Sequence, residues 1–282
     1  MSLLTNNIYS DLDPQISGSN VVWQGYDGLD YEIFFYNGST TSQLTDNTFT
    51  DQVPQISGSN IIWRGHNANS YEIFFYNGST TSQLTDNSFA ENEQQISGSN
   101  AVWVGSDGNN SEIFFYNGSA VTQLTNNIYD SSDPQISGSN AVWETYDGND
   151  YEIFFYNGST TTQITDNNSQ DYIPQVSGSY VVWQGCDSNN CKIFLYDGLR
   201  TFQLTDSNYN SIYPQVSGSY VVWQGYDGND YEIYLAKIGC MYKLNEDLNE
   251  DCMVDFYDFA TMASNWEIDC FSEPNNPACV PK

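Results

Sequence analysis

Pro14-Gln15-Ile16-Ser17-Gly18-Ser19-Asn20-Val21-Val22-Trp23 decides the fold, because nearly the same ten residues return five more times. The tryptophans of the six copies are Trp23, Trp63, Trp103, Trp143, Trp183 and Trp223, each 40 residues after the last with no insertion or deletion. A fixed period of this length marks a repeat architecture in which each copy is one supersecondary unit. The repeat runs to residue 237, and the last 45 residues, Ile238 to Lys282, share nothing with it. The expected organisation is one large repeat domain, 1–237, and a small appendage, 238–282.

Within one period, Gln15 to Ser17 and Val21 to Gln24 read as short strands joined by the turn residues Gly18-Ser19-Asn20. A polar turn, Tyr26 to Asp30, leads to a third strand, Glu32 to Tyr36, rich in aromatic and β-branched residues. Asn37-Gly38 predicts a type I′ hairpin, Thr41 to Leu44 a fourth strand, and Thr45 to Val53 a long loop. Four short antiparallel strands in about 40 residues make a propeller blade. The fold class expected is therefore all-β, a six-bladed β-propeller with a small helical, disulfide-containing appendage. After Trp223 the sixth copy supplies three strands and stops, while Leu4-Thr5-Asn6-Asn7 matches Leu44-Thr45-Asp46-Asn47. An N-terminal strand is expected to complete the sixth blade and close the ring, leaving no sheet edge unpaired.

The Pro-Gln-Ile-Ser-Gly-Ser opening, the Asp-Gly turn before Glu-Ile-Phe and the Gln-Leu-Thr close together resemble the blade of a TolB-type propeller over roughly four fifths of the chain. Similar blades occur in large microbial surface proteins, so the resemblance implies a fold and a setting more than an activity. Each Trp, at one fixed place on the second strand, is expected to wedge between blades. The competing reading, a ring of sugar-stacking indoles, is the weaker one.

A net charge of −30, from 36 acidic residues against Arg64, Lys192, Arg200, Lys237, Lys243 and Lys282, repels phosphate backbones and anionic lipid heads. Nucleic acid and membrane insertion are thus not expected, whereas cations, cationic proteins and neutral sugars suit the surface. No apolar run is long enough to span a bilayer and no signal peptide opens the chain; Met1-Ser2-Leu3 reads as a start replacing an export signal. Cys186 and Cys191 stand where Tyr26 and Tyr31 stand in the first copy, across a hairpin, and are expected to form a disulfide. Together with Cys240, Cys252, Cys270 and Cys279 they suggest an oxidising, extracellular or cell-surface compartment. Four cysteines in the tail leave three pairings open.

Blade geometry gathers the second-to-third turns and the long loops on one rim, which is acidic and aromatic. The candidate ligand-binding residues there are Tyr26, Asp27, Asp30, Arg64, His66, Tyr146, Asp147, Asp150, Tyr226, Asp227 and Asp230. Weak calcium binding on this rim competes with the blander reading that Asp, Asn and Gly simply form turns and keep the surface soluble; the latter is preferred here, since no rim loop has a full ligand spacing. His66 is the one histidine of the chain, and no serine elbow accompanies it, so triad catalysis is not expected. A carboxylate pair could still serve a glycosidase. Arg64, His66, Glu93-Gln94 and Glu144-Thr145 depart from the repeat, which is where a unique site would have to be, although drift after duplication explains them as well.

In the tail, Asp247, Asn249, Asp251, Asp255 and Asp258 fall at positions 1, 3, 5, 9 and 12 of an EF-hand-like loop, with Met253 at position 7 offering its carbonyl. Phe256, Phe259, Ala263 and Trp266 follow at helical intervals. This resembles half of a dockerin and implies calcium as cofactor, although Cys252 occupies the usual Gly position and no second loop follows. The expected function is an exported, non-enzymatic recognition or scaffold module, a monomer binding a glycan or surface protein through its rim. The alternatives are a polysaccharide lyase or glycosidase and a structural spacer.

Overall fold

A computed structural model describes residues 3–238. The candidate calcium loop Asp247 to Asp258, the stripe that follows it and Cys240, Cys252, Cys270 and Cys279 lie outside the described residues. The chain divides into two compact units, Met1–Gly218 with Val222–Tyr234 and Ser219–Val221 with Leu235–Lys282.

Among the described residues the chain forms six antiparallel sheets, five of four strands and one of three. In the first copy these are β1 (Asp11–Ser17), β2 (Asn20–Tyr26), β3 (Tyr31–Tyr36) and β4 (Thr41–Gln43), hydrogen-bonded in that order. The first strand of each of the first five copies lies beside the first strand of the next copy. The turn Gly18-Ser19 has only its glycine at positive φ, +63°, the signature of a type II′ hairpin.

Two local expectations need correction. Asn37-Gly38 does not form a two-residue type I′ turn. Four residues, Asn37 to Thr40, link Tyr36 to its partner Thr41. The Asn37 carboxamide oxygen accepts from the amides of Ser39 and Thr40 at 3.0 and 2.9 Å. An Asx side chain that imitates a backbone acceptor stabilises this wider loop, leaving positive φ to Gly38 alone. Second, the first strand begins at Asp11 rather than after Pro14, because a bulge between Leu12 and Gln15 lets the strand continue through the proline. The residue before it, Asp13, Val53, Glu93, Asp133, Ile173 or Tyr213, sits at φ between 50° and 54°.

Among the described residues the sixth sheet holds three strands, and no strand is assigned to residues 3–10. The fourth strand of each complete copy is three residues long, Thr41–Gln43 in the first, and ends before Leu44. The conserved-looking Leu4-Thr5-Asn6-Asn7 therefore matches the loop after that strand. The strand itself corresponds by period to residues 1–3, of which Met1 and Ser2 lie outside the described residues.

The core lies between successive sheets. Val22, Ile33 and Phe35 of the first copy pack with Ile61 and Trp63 of the second, and the same cluster recurs around Trp103, Trp143 and Trp183. Trp63, Trp103 and Trp143 are wholly buried, each stacked on the phenylalanine opposite it in its own sheet. The indoles of the first five copies are thus buried wedges rather than an exposed sugar platform, while Trp223 is half-buried. Burial of each such side chain contributes ~1.5–3 kcal/mol or more. Polar clasps accompany them. Ser17 Oγ accepts from the Gly58 amide at 2.8 Å and the Asn20 side chain donates to the Gly58 carbonyl at 2.7 Å, a pairing repeated through four sheet junctions.

Candidate functional site

The hairpin between the second and third strands is where acid and aromatic side chains meet. In the first copy Asp27 Oδ1 accepts from the Leu29 and Asp30 amides at 2.8 and 3.3 Å, and Gly28 takes a φ of 113° to close the turn. Tyr26 and Tyr31 face each other across it with ring centroids 5.5 Å apart. Tyr146 with Tyr151 and Tyr226 with Tyr231 repeat the contact at 5.4 and 5.5 Å. A third ring from the preceding loop, Tyr9, Tyr129 or Tyr209, meets each pair edge-on at 5.6 Å. Tyr9 and Tyr209 are exposed, so each trio presents an aromatic edge to solvent beside carboxylates. Cys186 and Cys191, Cα atoms 4.0 Å apart, form a disulfide in place of the tyrosine pair of the fifth copy.

Beneath the turns of the first four copies lies a carboxylate that sequence reasoning did not single out. Glu32, Glu72, Glu112 and Glu152 are fully buried, with one oxygen accepting from the amide of Asn47, Asn87, Asn127 or Asn167 in the loop that follows. Burial pushes Glu32 up to about 7. The available signal was a glutamate at the second position of every early third strand, flanked by apolar residues that face the core.

Among the departures from the repeat, Glu93 lies on a bulged first strand, whereas Glu144 and Thr145 lie on a second strand. In the first and fifth copies a glutamine, Gln24 or Gln184, accepts from the bulge amide of the next copy, Val53 at 2.7 Å or Tyr213 at 3.0 Å. Glu144 makes the same bond to Ile173 at 3.0 Å. In the third copy that position is Val104, which has no acceptor, and Glu93 supplies one instead, reaching the Asp133 amide at 2.9 Å. Glu93 therefore compensates for Val104 rather than marking unconstrained drift. Burial first, then the nearby charges of Asp133 and Glu93, push Glu144 up to about 7. Thr145 is likewise compensated. It replaces a glycine whose Cβ in the fifth copy would lie 2.7 Å from Asp171 Oδ1, and in the fourth copy that aspartate is Ser131, 2.8 Å from the Thr145 hydroxyl.

Arg64 and His66 come together on one ring. The Arg64 guanidinium lies 5.0 Å from the centroid of Tyr71, and the His66 ring meets the same tyrosine edge-on at 5.1 Å. The Gln52 carboxamide oxygen accepts from Arg64 Nη2 and Nε at 3.1 and 3.2 Å. His66 Nδ1 accepts from the Ala68 amide at 3.2 Å. The remaining candidates group by copy: Tyr26, Asp27 and Asp30 on one hairpin, Tyr146, Asp147 and Asp150 on another, and Tyr226, Asp227 and Asp230 on a third. Tyr226 also lines a cavity of about 230 Å³ with Trp223, Tyr234, Leu204 and Asp206. Chemically, these groups offer hydrogen-bond acceptors and aromatic edges, while Glu93 and Glu144 spend oxygens on bonds between copies.

Among the described residues no helix is long and apolar enough to cross a membrane. No family model matches the sequence, and no curated protein sequence matches it. Solved structures do resemble the fold. A prolyl endopeptidase chain matches at TM-score 0.58 and 10% identity over 82% of this chain and 41% of its own. An acylaminoacyl peptidase of Pyrococcus horikoshii matches at 0.53 and 13% over 81% and 45%. TolB from Acinetobacter baumannii matches at 0.45 and 17% over 77% and 57%. The chain thus spans less than half the length of either peptidase. At these identities the likeness is one of fold: an all-β chain of four-stranded antiparallel sheets.

Proposed function

We propose that the chain is an exported recognition module, a six-bladed TolB-type propeller whose acidic, aromatic rim binds a glycan or a surface protein, with the tail as a calcium-holding anchor. The observation that carries this reading is the threefold recurrence of one surface unit: a tyrosine trio beside the turn aspartates, at 5.4 to 5.6 Å spacing. Aromatic ring faces pack against the apolar faces of sugars, and carboxylates accept from hydroxyl groups. Repetition multiplies a weak single contact into useful avidity. Catalysis gains little from copies of one environment, and the carboxylates that do stand apart, Glu93 and Glu144, are engaged between copies.

Ring closure belongs to this proposal and rests on sequence identity with an ordered counterpart. Asn7 donates to Asp11 and accepts from the Tyr9 amide as Asn47 does with Asp51 and Phe49. Ile233 is 73% exposed while Ile33, Ile73, Ile113, Ile153 and Ile193 are fully buried, so the sixth copy offers an apolar face of the kind that the segment after the fourth strand covers elsewhere.

The test is retention on a broad glycan array and a panel of surface proteins, with calcium and with chelator, comparing the wild type with the triple change Tyr26→Ala, Tyr146→Ala and Tyr226→Ala. Binding lost in the triple variant at unchanged secondary structure is the expected result. Retention on neither surface, or retention that ignores all three tyrosines, refutes the rim. Product release from a polysaccharide panel would favour the enzymatic alternative.

A further inference from the structure

We infer that the hairpins of the first and fourth copies each bind a hard divalent cation of the calcium type, at Asp27, Asp30 and Glu32 and at Asp147, Asp150 and Glu152. In each set one oxygen from every carboxylate lies within 4.8 Å of the others. Proximity of acids is common and carries nothing alone. Oε2 of Glu32, Glu72, Glu112 and Glu152 lacks a partner in all of the first four copies, and what distinguishes the first and fourth hairpins is a second buried oxygen with no partner, on Asp30 or Asp150. Asp150 is 2% exposed and Glu152 fully buried, and Asp150 Oδ1 and Glu152 Oε2 accept no hydrogen bond from the protein. Asp30 Oδ1 and Glu32 Oε2 are likewise buried without a partner, with Glu32 fully buried and Asp30 half-buried. Two carboxylates side by side, each with one buried oxygen that no donor meets, are costly unless a proton or a cation stands between them.

The sibling copies act as internal controls. In the second copy the residue at the place of Asp30 is Ser70, whose hydroxyl spans Glu72 at 2.6 Å and the Asn87 carbonyl at 3.0 Å. In the third it is Asn110, whose amide spans Glu112 at 2.8 Å and the carbonyls of Asn127 and Tyr129 at 3.0 and 2.9 Å. In the fifth, Asn190 reaches the Asn208 carbonyl and Lys192 replaces the glutamate, its ammonium 3.5 Å from the Tyr209 carbonyl. Each of these copies places a donor or a fixed positive charge among the same oxygens.

The first and fourth copies place an aspartate there, so the donor is replaced by one more acceptor. Only the Asn149 carboxamide approaches, at 3.3 Å from Asp150 Oδ2. The resulting set of carboxylates is all oxygen, the ligand type that calcium prefers over softer metals. In the sixth copy Asp227, Asp230 and Glu232 also converge, but all three are exposed, so that hairpin is left out of the inference.

The inference is independent of the glycan reading and of the tail loop, and the experiment separates them. Calcium is titrated calorimetrically into chelator-treated full-length protein, with thermal unfolding followed at ~0.1–1 mM calcium, the range in which extracellular modules fill. The variant Asp30→Asn with Asp150→Asn imports the donor that Asn110 already provides, so it should fold as well as wild type without calcium. Asp30→Ser with Asp150→Ser, copying Ser70, is the second route. The expected result is loss of two calcium equivalents and of the calcium-dependent rise in Tm, while Asp247→Ala with Asp258→Ala leaves both equivalents in place. A donor variant that keeps every equivalent and the full Tm rise overturns the sites. So does a tail variant that binds no calcium at all, which would mean that a shared proton neutralises the pairs.

Discussion

Replacing Glu144 by Gln tests how the copies are joined, because the substitution keeps the geometry and removes one charge. Gln24 and Gln184 already accept the bulge amide of the next copy at 2.7 and 3.0 Å, and Glu144 does so at 3.0 Å, so a glutamine keeps that acceptor. The Ser132 hydroxyl, which donates to the other Glu144 oxygen at 3.4 Å, can turn to accept from the new amide. Burial, Asp133 and Glu93 push the Glu144 carboxyl from 4.5 up to about 7. Below pH 4.5 the group is protonated in both folded and unfolded chains and contributes nothing to the difference. As pH rises from 4.5 to 7 the unfolded chain ionises first, so the folded state holds the extra proton and stability falls. A rise of that size corresponds to on the order of 3 kcal/mol at 1.36 kcal/mol per unit. Glu144→Gln should therefore stabilise the protein by up to ~3 kcal/mol at pH 8, roughly 6–12 °C in Tm for a domain of this size, with the gain shrinking to nothing by pH 4.5. Urea denaturation of both proteins at half-unit pH steps measures it. A gain that is the same at pH 5 and pH 8, or a loss at pH 8, refutes the account of Glu144 as a strained bridging carboxyl.

Three further changes probe other parts of the structure. Gly185→Thr should cost ~1–3 kcal/mol by crowding Asp171 and Phe194, and Asp171→Ser alone ~1–3 kcal/mol by orphaning the Trp183 indole N–H. The double variant copies the Ser131 and Thr145 pairing, so a double-mutant cycle in urea should show it at least ~0.5 kcal/mol more stable than the sum; strict additivity contradicts the compensation. Trp103→Ala should cost ~3–5 kcal/mol through the cavity left between sheets, read by thermal unfolding; unaltered stability with lost ligand binding would restore the sugar-stacking role. Ile233→Ala should cost ~2–5 kcal/mol if the N-terminal segment covers the sixth copy as proposed, whereas a change within ~0.5 kcal/mol, the usual effect at an exposed site, means the face stays open.

Much of the site was present in the sequence as residue types without their relationships. The aspartate turns and their tyrosines could be named because Asp-Gly between two strand patterns has a local mechanism. The buried glutamates could not, since a charged residue in a third strand is ordinarily assigned to the solvent face. Glu93, Glu144 and Thr145 were visible only as exceptions, and their reasons lie in Val104, in the bulge amide of Ile173 and in Ser131, which are distant in sequence or belong to another copy.

The sequence by itself determined the repeat unit, its four strands and the position of the tryptophan wedge, because a period of 40 residues with strand alternation and fixed turn residues is a local pattern that each copy restates. Tertiary structure decided what the same residues do between copies. Ser17 and Asn20, legible as a turn, clasp Gly58 of the next repeat. Asp30 and Ser70 are interchangeable as turn formers, but Asp30 sets a second unpartnered buried oxygen beside its glutamate, whereas Ser70 donates to Glu72 at 2.6 Å. Such differences depend on whether a polar atom removed from water finds a partner across a sheet or a loop, and no pattern within a single copy contains that partner.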